Sequence, residues 1–327
     1  MKAILPVAGI GSRLRPHTHT TPKALVHVAG KPILGHILDR LLPVGVDEVV
    51  LVVGHFGAKI VDYVRSNYPV RVHVVEQAVP KGLGHAIHLA GQAVEPPEPV
   101  LIVLGDTIFE ADLKGALVKG KSLLGVAEVP NPQNFGVVEA EGARVVRLVE
   151  KPAEPKTNLA IVGVYYLADS EKLFTALDRI VREGVRTRGE IQLTDALQAM
   201  VEAGEEIEIF HVDSWLDCGS PEALLETNRR LLQGRTTTPP AGDGVIYIPP
   251  VYVAPTAEVS HCIIGPYVSV ADGAVVRRAL VRNTIINQGA EVQDILLTDS
   301  IIGENAGVGG HYTRLNVGDS SQMRVVG

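Results

Sequence analysis

Three stretches carry side chains of the kind that handle phosphate. The first, "PVAGIGSRLRPHTHTTPK" from Pro6 to Lys23, follows an apolar start and places Gly9 and Gly11 ahead of Arg13, with Lys23 closing the loop. Glycines leave backbone N–H groups free to converge on phosphate oxygens, and Arg13 and Lys23 can neutralise the charge that develops there, so the loop reads as a triphosphate cradle. It matches neither of the two common glycine-rich loops. A dinucleotide fingerprint needs a third glycine where Leu14 stands, and a P-loop needs Gly-Lys-Ser/Thr where Pro22, Lys23 and Ala24 stand. The second stretch, "VLIVLGDTIFEADL", sets Asp106 at the carboxyl end of a predicted strand, where open α/β sheets bind their ligands. A carboxylate there suits Mg²⁺, which takes a few hard oxygen ligands and leaves positions for phosphate. The third, "SWLDCGSPEALL", has Asp217 between a strand and a helix, where it is either a second metal ligand or the helix cap.

The elements that must position these groups follow from hydrophobic patterning. "AILPVA", "EVVLVVG", "RVHVVEQ" and "PVLIVLGD" have the continuous aliphatic content of strands buried on both faces. Between them "KPILGHILDRLL", "AKIVDYVRSN" and "GLGHAIHLAGQAV" repeat at helical spacing. This βαβα order predicts a mostly parallel, doubly wound sheet. After Asp106 the strands "SLLGVAEV", "FGVVEAEGARVVRLVEKP" and "AIVGVYYL" follow with no long helix between them, and read as an antiparallel extension forming the far wall of a cleft. Helices return in "SEKLFTALDRIVREG", "LTDALQAMVEAG" and "SPEALLETNRRLLQG", with the strand "EIEIFHV" among them. "GRTTTPPAGDG" then reads as a linker.

Past the linker, "IIGPYVSV", "IINQGAEV" and "IIGENAGV" share an I-I-x-x-x-x-x-V frame, and apolar residues recur six apart, as in Ile264, Val270 and Val276. A short period with small residues at the corners predicts a parallel β-helix, in which each coil buries its apolar positions by stacking on the next. The predicted division is a catalytic domain over 1–234, a linker over 235–245 and the β-helix over 246–327.

Composition bounds the function. A chain of 327 residues fits two domains, and a formal net charge of −7 argues against a general nucleic-acid binder. No apolar run approaches the length needed to span a bilayer, and the start Met1-Lys2-Ala3-Ile4-Leu5 turns into Pro and Gly too soon for a signal peptide, so a cytoplasmic, membrane-free protein is expected. Two distant cysteines, Cys218 and Cys262, offer no disulfide framework and no zinc spacing.

The opening loop resembles the G-x-G-[TS]-R-L…P-K signature of the sugar-phosphate nucleotidyltransferases, the nucleotide-sugar pyrophosphorylases. The resemblance continues in family order through "GKPIL", "EQAVPKGLGHAI", "LGDT", "FGVVE", "VEKP", "NLAIVGVYYL", "RGEIQLTDA" and "WLDCGS", covering almost everything before the linker. It implies a Rossmann-like mixed α/β sheet, and the terminal repeats resemble the left-handed parallel β-helix of some members. It also implies that a sugar 1-phosphate oxygen attacks the α-phosphorus of a nucleoside triphosphate in line while pyrophosphate leaves. Arg13 and Lys23 would hold the triphosphate; Ala8, Gly9 and Gly11 would contact the nucleotide; Gln77 and Gly82 would recognise a pyrimidine base. Asp106 and Asp217 would bind Mg²⁺. Gly136, Glu150, Lys151 and Arg188 would hold the sugar phosphate, with Lys151 on the attacking phosphate. Ser12 replaces a frequent Thr and keeps the hydroxyl, while Thr107 stands where some relatives have Asn or Asp.

"KGLGHA", "NLAIVG", "EIQLTDA" and "DCG" look like glucose-1-phosphate uridylyltransferases, whereas "LRPHTHTTPK" and the tail look like long thymidylyltransferases or mannose-1-phosphate guanylyltransferases. The expected substrates are UTP or dTTP with glucose 1-phosphate. The tail is expected to serve homo-oligomer assembly; the alternatives are an acyltransferase built on its two histidines, His261 and His311, and a regulatory homologue without catalysis. His17 and His19 match no family catalytic position, and Trp215 is expected to pack beneath the Asp217 loop.

Overall fold

A computed structural model describes residues 1–117, 120–235 and 238–310. Contacts divide the chain into two compact units, Met1–Thr227 and Asn228–Gly327. In the first, β1 (Lys2–Pro6), a short hairpin of β2 (His27–Val28) and β3 (Lys31–Pro32), α1 (Ile33–Leu41), β4 (Glu48–Val53), α2 (Gly57–Asn67), β5 (Arg71–Glu76), α3 (Leu83–Ala90) and β6 (Val100–Val103) supply the expected alternation. They are followed by β7 (Thr107–Glu110), α4 (Leu113–Leu117), β8 (Ser122–Glu128), the hairpin β9 (Gly136–Glu141) and β10 (Arg144–Glu150), and β11 (Leu159–Leu167). Then come α5 (Ser170–Glu183), α6 (Leu193–Glu202), β12 (Ile207–His211), β13 (Ser214–Asp217) and α7 (Pro221–Gln233), which crosses the boundary between the units.

Nine strands form one mixed sheet in the order β5-β4-β1-β6-β11-β8-β12-β10-β9. The first four are parallel, and β11 runs antiparallel to both β6 and β8, so the sheet changes character next to β6. The chain steps outward from β1 to β4 to β5 and then returns to β6. Right-handed crossovers therefore put α1 and α2 on one face and α3 on the other. Both faces of β4 are covered, and its Val49–Val53 run is buried. The strand at "RVHVVEQ" departs from expectation. As β5 it is an edge strand that pairs only with β4, and Val74 is 47% exposed. The core collects Ile4, Val50, Ile102, Leu124, Tyr165 and Leu197 from sheet and helices.

In the second unit, parallel short strands stack in coils. Ile246 pairs with Ile263, Ile263 with Leu280 and Leu280 with Leu296, so each coil advances 17, 17 and 16 residues. Corners fall at residues in the left-handed region: Tyr267, Asn283 and Asp299 in one column, His261, Arg278 and Asp294 in another, and Gly273, Gly289 and Asn305 in a third. Asn and Asp tolerate that conformation because their short polar side chains hydrogen-bond locally. The six-residue spacing corresponds to burial, since Ile264, Val270, Val276, Ile286 and Val292 all point into the coil core. The I-I frame is corrected in part: Ile285 stacks on Ile301 and Ser269, while Ile263 stacks on Leu280 and belongs to another face. Two faces carry apolar pairs, so matching side chains at Ile263 and Ile285 hid a change of face.

Candidate active site

The opening loop leaves β1 and turns at Gly11, whose φ of +67° favours glycine. It continues as a short 3₁₀ turn, Ser12–Leu14, instead of an α-helix, anchored by the buried Leu14 and by Thr18 Oγ1 donating to Gly11 O at 2.8 Å. A second 3₁₀ turn, Lys23–Leu25, returns Lys23 beside the first. Between this loop, α3 and the end of β6 lies a cavity of about 300 Å³ lined by Ala8, Gly9, Lys23, Gln77, Gly82 and Asp106. The fold thus brings together residues that stand up to 184 positions apart, from Pro6 to Glu190. Gln77 is nearly buried, and its Nε2 lies 3.3 Å from Gly82 O and 3.1 Å from His85 Nδ1. The Gly82–Gly84 segment is fixed from across the chain, since Gly84 N donates to Ile191 O at 2.9 Å.

Asp106 follows β6 and accepts a hydrogen bond from Lys23 Nζ at 2.6 Å. Asp217 ends β13, which pairs antiparallel with β7 and sets Asp217 opposite Thr107, next in sequence to Asp106. The helix-cap alternative for Asp217 falls to Ser220, whose Oγ accepts the Ala223 N–H at 3.2 Å. Burial pushes the Asp217 carboxyl above its ordinary range, the Asp106 charge adds to this, and Lys23 and Arg13 oppose it. A side chain at Gly219 would meet the Asp217 carboxylate at 2.9 Å and Arg13 Nη2 at 3.1 Å, so glycine lets these groups close up.

A second cluster forms where β10 ends. Glu150 is held by Thr194 Oγ1, which donates to Oε2 at 2.7 Å, and Lys151 Nζ lies 3.5 Å from Oε1. Lys151 adopts a positive φ and donates its backbone N–H to Phe135 O at 3.0 Å, and Arg188 Nη2 donates to Lys151 O at 2.6 Å. A Cβ at Gly136 would lie 3.0 Å from Glu150 Oε2 and 3.1 Å from Thr194 Oγ1, so the absence of a side chain opens the carboxylate to a ligand. Buried Tyr165 lies within electrostatic reach of both Glu150 and Asp106, and with burial they raise its hydroxyl's pKa. β11 pairs with β6, which Asp106 follows, and with β9, which starts at Gly136, so the strands that carry the two clusters both border β11.

Residues 2–234 match the family described as nucleotidyl transferase. The chain is a member of that family. This nucleotidyltransferase is 32% identical to the "Low-salt glycan biosynthesis nucleotidyltransferase Agl11" of Haloferax volcanii, over 99% of its own length and 100% of that protein. It is 30% identical to a glucose-1-phosphate thymidylyltransferase of Streptomyces griseus, over 99% of each. Among solved structures it is similar to a UDP-glucose pyrophosphorylase complexed with UDP-glucose, with a TM-score of 0.63 at 27% identity, over 72% of this chain and 99% of that one. The protein is an enzyme of the sugar-phosphate nucleotidyltransferase type.

Several parts of the nucleotidyltransferase site had no signal in the sequence. Thr194 and Tyr165 read as ordinary helix and strand residues, and their roles come from what they face. Trp215 stacks edge-on against Phe135 at 5.1 Å, and its Nε1 is buried with no partner among the described residues. Burial pushes the Cys218 thiol up to about 12, which keeps it a neutral thiol next to Asp217. His17 is half-buried, which lowers its pKa. His261, on the coils, lies 3.6 Å from Asp243, and His311 lies outside the described residues. Asp106 and Asp217 fit a hard divalent cation, because burial and the neighbouring Asp106 charge push Asp217 toward protonation, and a cation between the two carboxylates offsets that. Among the described residues no group of three or more His, Cys, Asp or Glu gathers as a metal cage. Also among the described residues, no helix is long and apolar enough to cross a membrane.

Proposed function

We propose that the enzyme makes a nucleoside-diphosphate sugar and pyrophosphate from a pyrimidine nucleoside triphosphate, UTP or dTTP, and glucose 1-phosphate, working in the cytoplasm. The observation that carries this reading is one cavity lined at once by the loop backbone, Lys23, Gln77 and Asp106, with Gly136 of the Glu150–Lys151 cluster on a strand that, like β6, borders β11. Gln77 offers donor and acceptor together, which suits a pyrimidine edge. UTP and dTTP differ by one methyl and one hydroxyl, a difference such a pocket discriminates weakly. The names of the relatives support the same chemistry, since they include a glucose-1-phosphate thymidylyltransferase and a UDP-glucose pyrophosphorylase.

The attacking sugar phosphate is already an anion, so no base is required and the work is alignment and charge neutralisation. Alignment of two bound reactants alone contributes roughly 7–11 kcal/mol. Lys151 holds the attacking phosphate, and Glu150, oriented by Thr194, accepts hydrogen bonds from ring hydroxyls. Lys23 and Arg13 neutralise the triphosphate, and Ala8, Gly9 and Gly11 present backbone to it. Arg188 braces the Lys151 turn and reaches the same phosphate. Mg²⁺, held by Asp106 and Asp217, would supply further charge neutralisation when bound.

We also propose that residues 1–234 form the catalytic domain, 235–245 a linker, and 246–327 a left-handed parallel β-helix through which copies of the chain assemble. The column of exposed aliphatic side chains Ile246, Leu280 and Leu296 on the stacked strands supports the assembly role. The test crosses UTP, dTTP, GTP, CTP and ATP with several sugar 1-phosphates and reads pyrophosphate release. Turnover is expected with UTP or dTTP plus glucose 1-phosphate, and preference for a purine nucleotide would overturn the pyrimidine assignment.

A further inference from the structure

In the proposed reaction Gln77 faces the base, and a free carboxamide can turn either its donor or its acceptor toward a ligand. Two neighbours remove that choice. The backbone of Gln77 is fixed by β4, since its N–H donates to Val53 O at 2.8 Å. Its side chain runs to the start of α3, where Nε2 lies 3.3 Å from Gly82 O and 3.1 Å from His85 Nδ1. A carbonyl oxygen only accepts, so the Gln77 atom beside Gly82 O is the amide nitrogen and not the oxygen. Gly82 O also accepts the Ala86 N–H at 3.2 Å, which holds it in the first turn of the helix. The position requires glycine, because at its φ of +111° a Cβ would lie 2.5 Å from Ile191 O.

The same amide nitrogen sets the state of His85. An N–H faces Nδ1, so Nδ1 carries a lone pair and the ring proton sits on Nε2. Burial lowers the His85 pKa, and Lys81 and then His88 act in the same direction, which keeps the ring neutral and Nδ1 an acceptor. Both amide hydrogens of Gln77 are thereby taken by the protein, one by Gly82 O and one by His85. Oε1 makes no hydrogen bond with any described residue and is the polar side-chain atom that Gln77 has left for the cavity it lines. An acceptor there pairs with the N3–H that uracil and thymine share. It opposes cytosine, whose N3 is a lone pair, and leaves that pair of acceptors unsatisfied.

We infer that His85 is a positioning residue for base selection: by taking an amide hydrogen of Gln77 it locks the carboxamide with Oε1 toward the nucleotide, and so favours uracil and thymine over cytosine. This rests on the proposed use of UTP or dTTP, and it assigns a role to a side chain outside the cavity lining. Full-length wild type, His85→Phe and His85→Asn are assayed for pyrophosphate release with UTP, dTTP and CTP at saturating glucose 1-phosphate, and then with the sugar phosphate varied. Asparagine offers its side-chain oxygen near the place of Nδ1, whereas phenylalanine offers no acceptor and releases the carboxamide to turn. In His85→Phe the ratio of kcat/KM for UTP to that for CTP falls about tenfold, with the KM for glucose 1-phosphate within about twofold. In His85→Asn the ratio stays within about threefold of wild type. A His85→Phe ratio equal to that of wild type, or a His85→Asn ratio that falls as far as in His85→Phe, overturns the role of His85, while wild-type turnover of UTP or dTTP still upholds the reaction. Wild type that prefers CTP overturns the orientation of Gln77, and wild type that uses neither UTP nor dTTP refutes the underlying reading. The His85 ring, assigned by the resonance lost in His85→Asn, decides the lock without any turnover. Nitrogen-15 correlation spectra of wild type show its proton on Nε2, and a proton on Nδ1 overturns the inference.

Discussion

Thr194→Val tests whether Glu150 is held for the sugar. Thr194 is 5% exposed, and its Oγ1 donates to Glu150 Oε2 at 2.7 Å. Valine keeps the shape of the side chain and deletes only the donor. The Glu150 side chain is 10% exposed, and its remaining charged partner is Lys151 Nζ, 3.5 Å from the other oxygen. A hydrogen bond to a charged group contributes about 1.5–3 kcal/mol, and little water reaches Oε2 to replace it. The carboxylate then rotates away from the space that Gly136 leaves open. If Glu150 receives the sugar hydroxyls, kcat/KM for glucose 1-phosphate falls roughly 10- to 100-fold, with the KM for the nucleoside triphosphate within about twofold. The assay follows pyrophosphate release while the sugar phosphate is varied at saturating nucleotide. Thr194→Ser retains the hydroxyl and should recover most of the loss. A valine variant with sugar-phosphate kinetics like wild type, or a serine variant as impaired as valine, would refute the reasoning.

Asp106→Asn should abolish Mg²⁺-dependent pyrophosphate release while leaving the circular dichroism spectrum unchanged; undiminished turnover would remove Asp106 from the metal site. Asp217 is held above its ordinary pKa, chiefly by burial and next by Asp106, so its ionised form opposes folding and stability falls as pH rises through the folded value. Asp217→Asn should therefore melt at a higher temperature than wild type at about pH 7 and lose that advantage below about pH 4, where both folded and unfolded carboxyls are protonated. A calorimetric melt showing the variant less stable at neutral pH contradicts this. Ile264 is fully buried in the coil core, and Ile264→Ala should cost about 2–5 kcal/mol in denaturant unfolding of the coils. Leu296 is 78% exposed on the aliphatic column, and Leu296→Glu should shift the sedimentation coefficient toward the monomer; an unchanged coefficient rules that column out as the assembly face.

The parallel half of the sheet was legible because continuous aliphatic strands alternate with helical repeats, a pattern that only burial on both faces requires. The edge position of β5 was not, since "RVHVVEQ" has the same composition as its buried neighbours and only strand order decides which one stands outermost. The pairing of β7 with β13 went unread for a related reason. Each is four residues long, too short for periodicity, yet their pairing is what sets Asp217 opposite Thr107. In the coils, the six-residue spacing identified the buried positions, whereas which isoleucines stack depended on corners at Tyr267, Asn283 and Asp299.

The sequence by itself determined the kinds of group available and the chemistry they permit: glycines and cations for phosphate, a carboxylate at a strand end, and an aliphatic periodicity that must be buried. Those properties are local, set by residue type and by spacing of a few positions. Only the tertiary structure decided that Thr194 aims Glu150, that Ser220 caps α7 and leaves Asp217 for the site, and that Lys23, Gln77 and Asp106 share a cavity. Such assignments depend on distances between segments tens to hundreds of residues apart, which are fixed by strand order and packing and leave no trace in local composition.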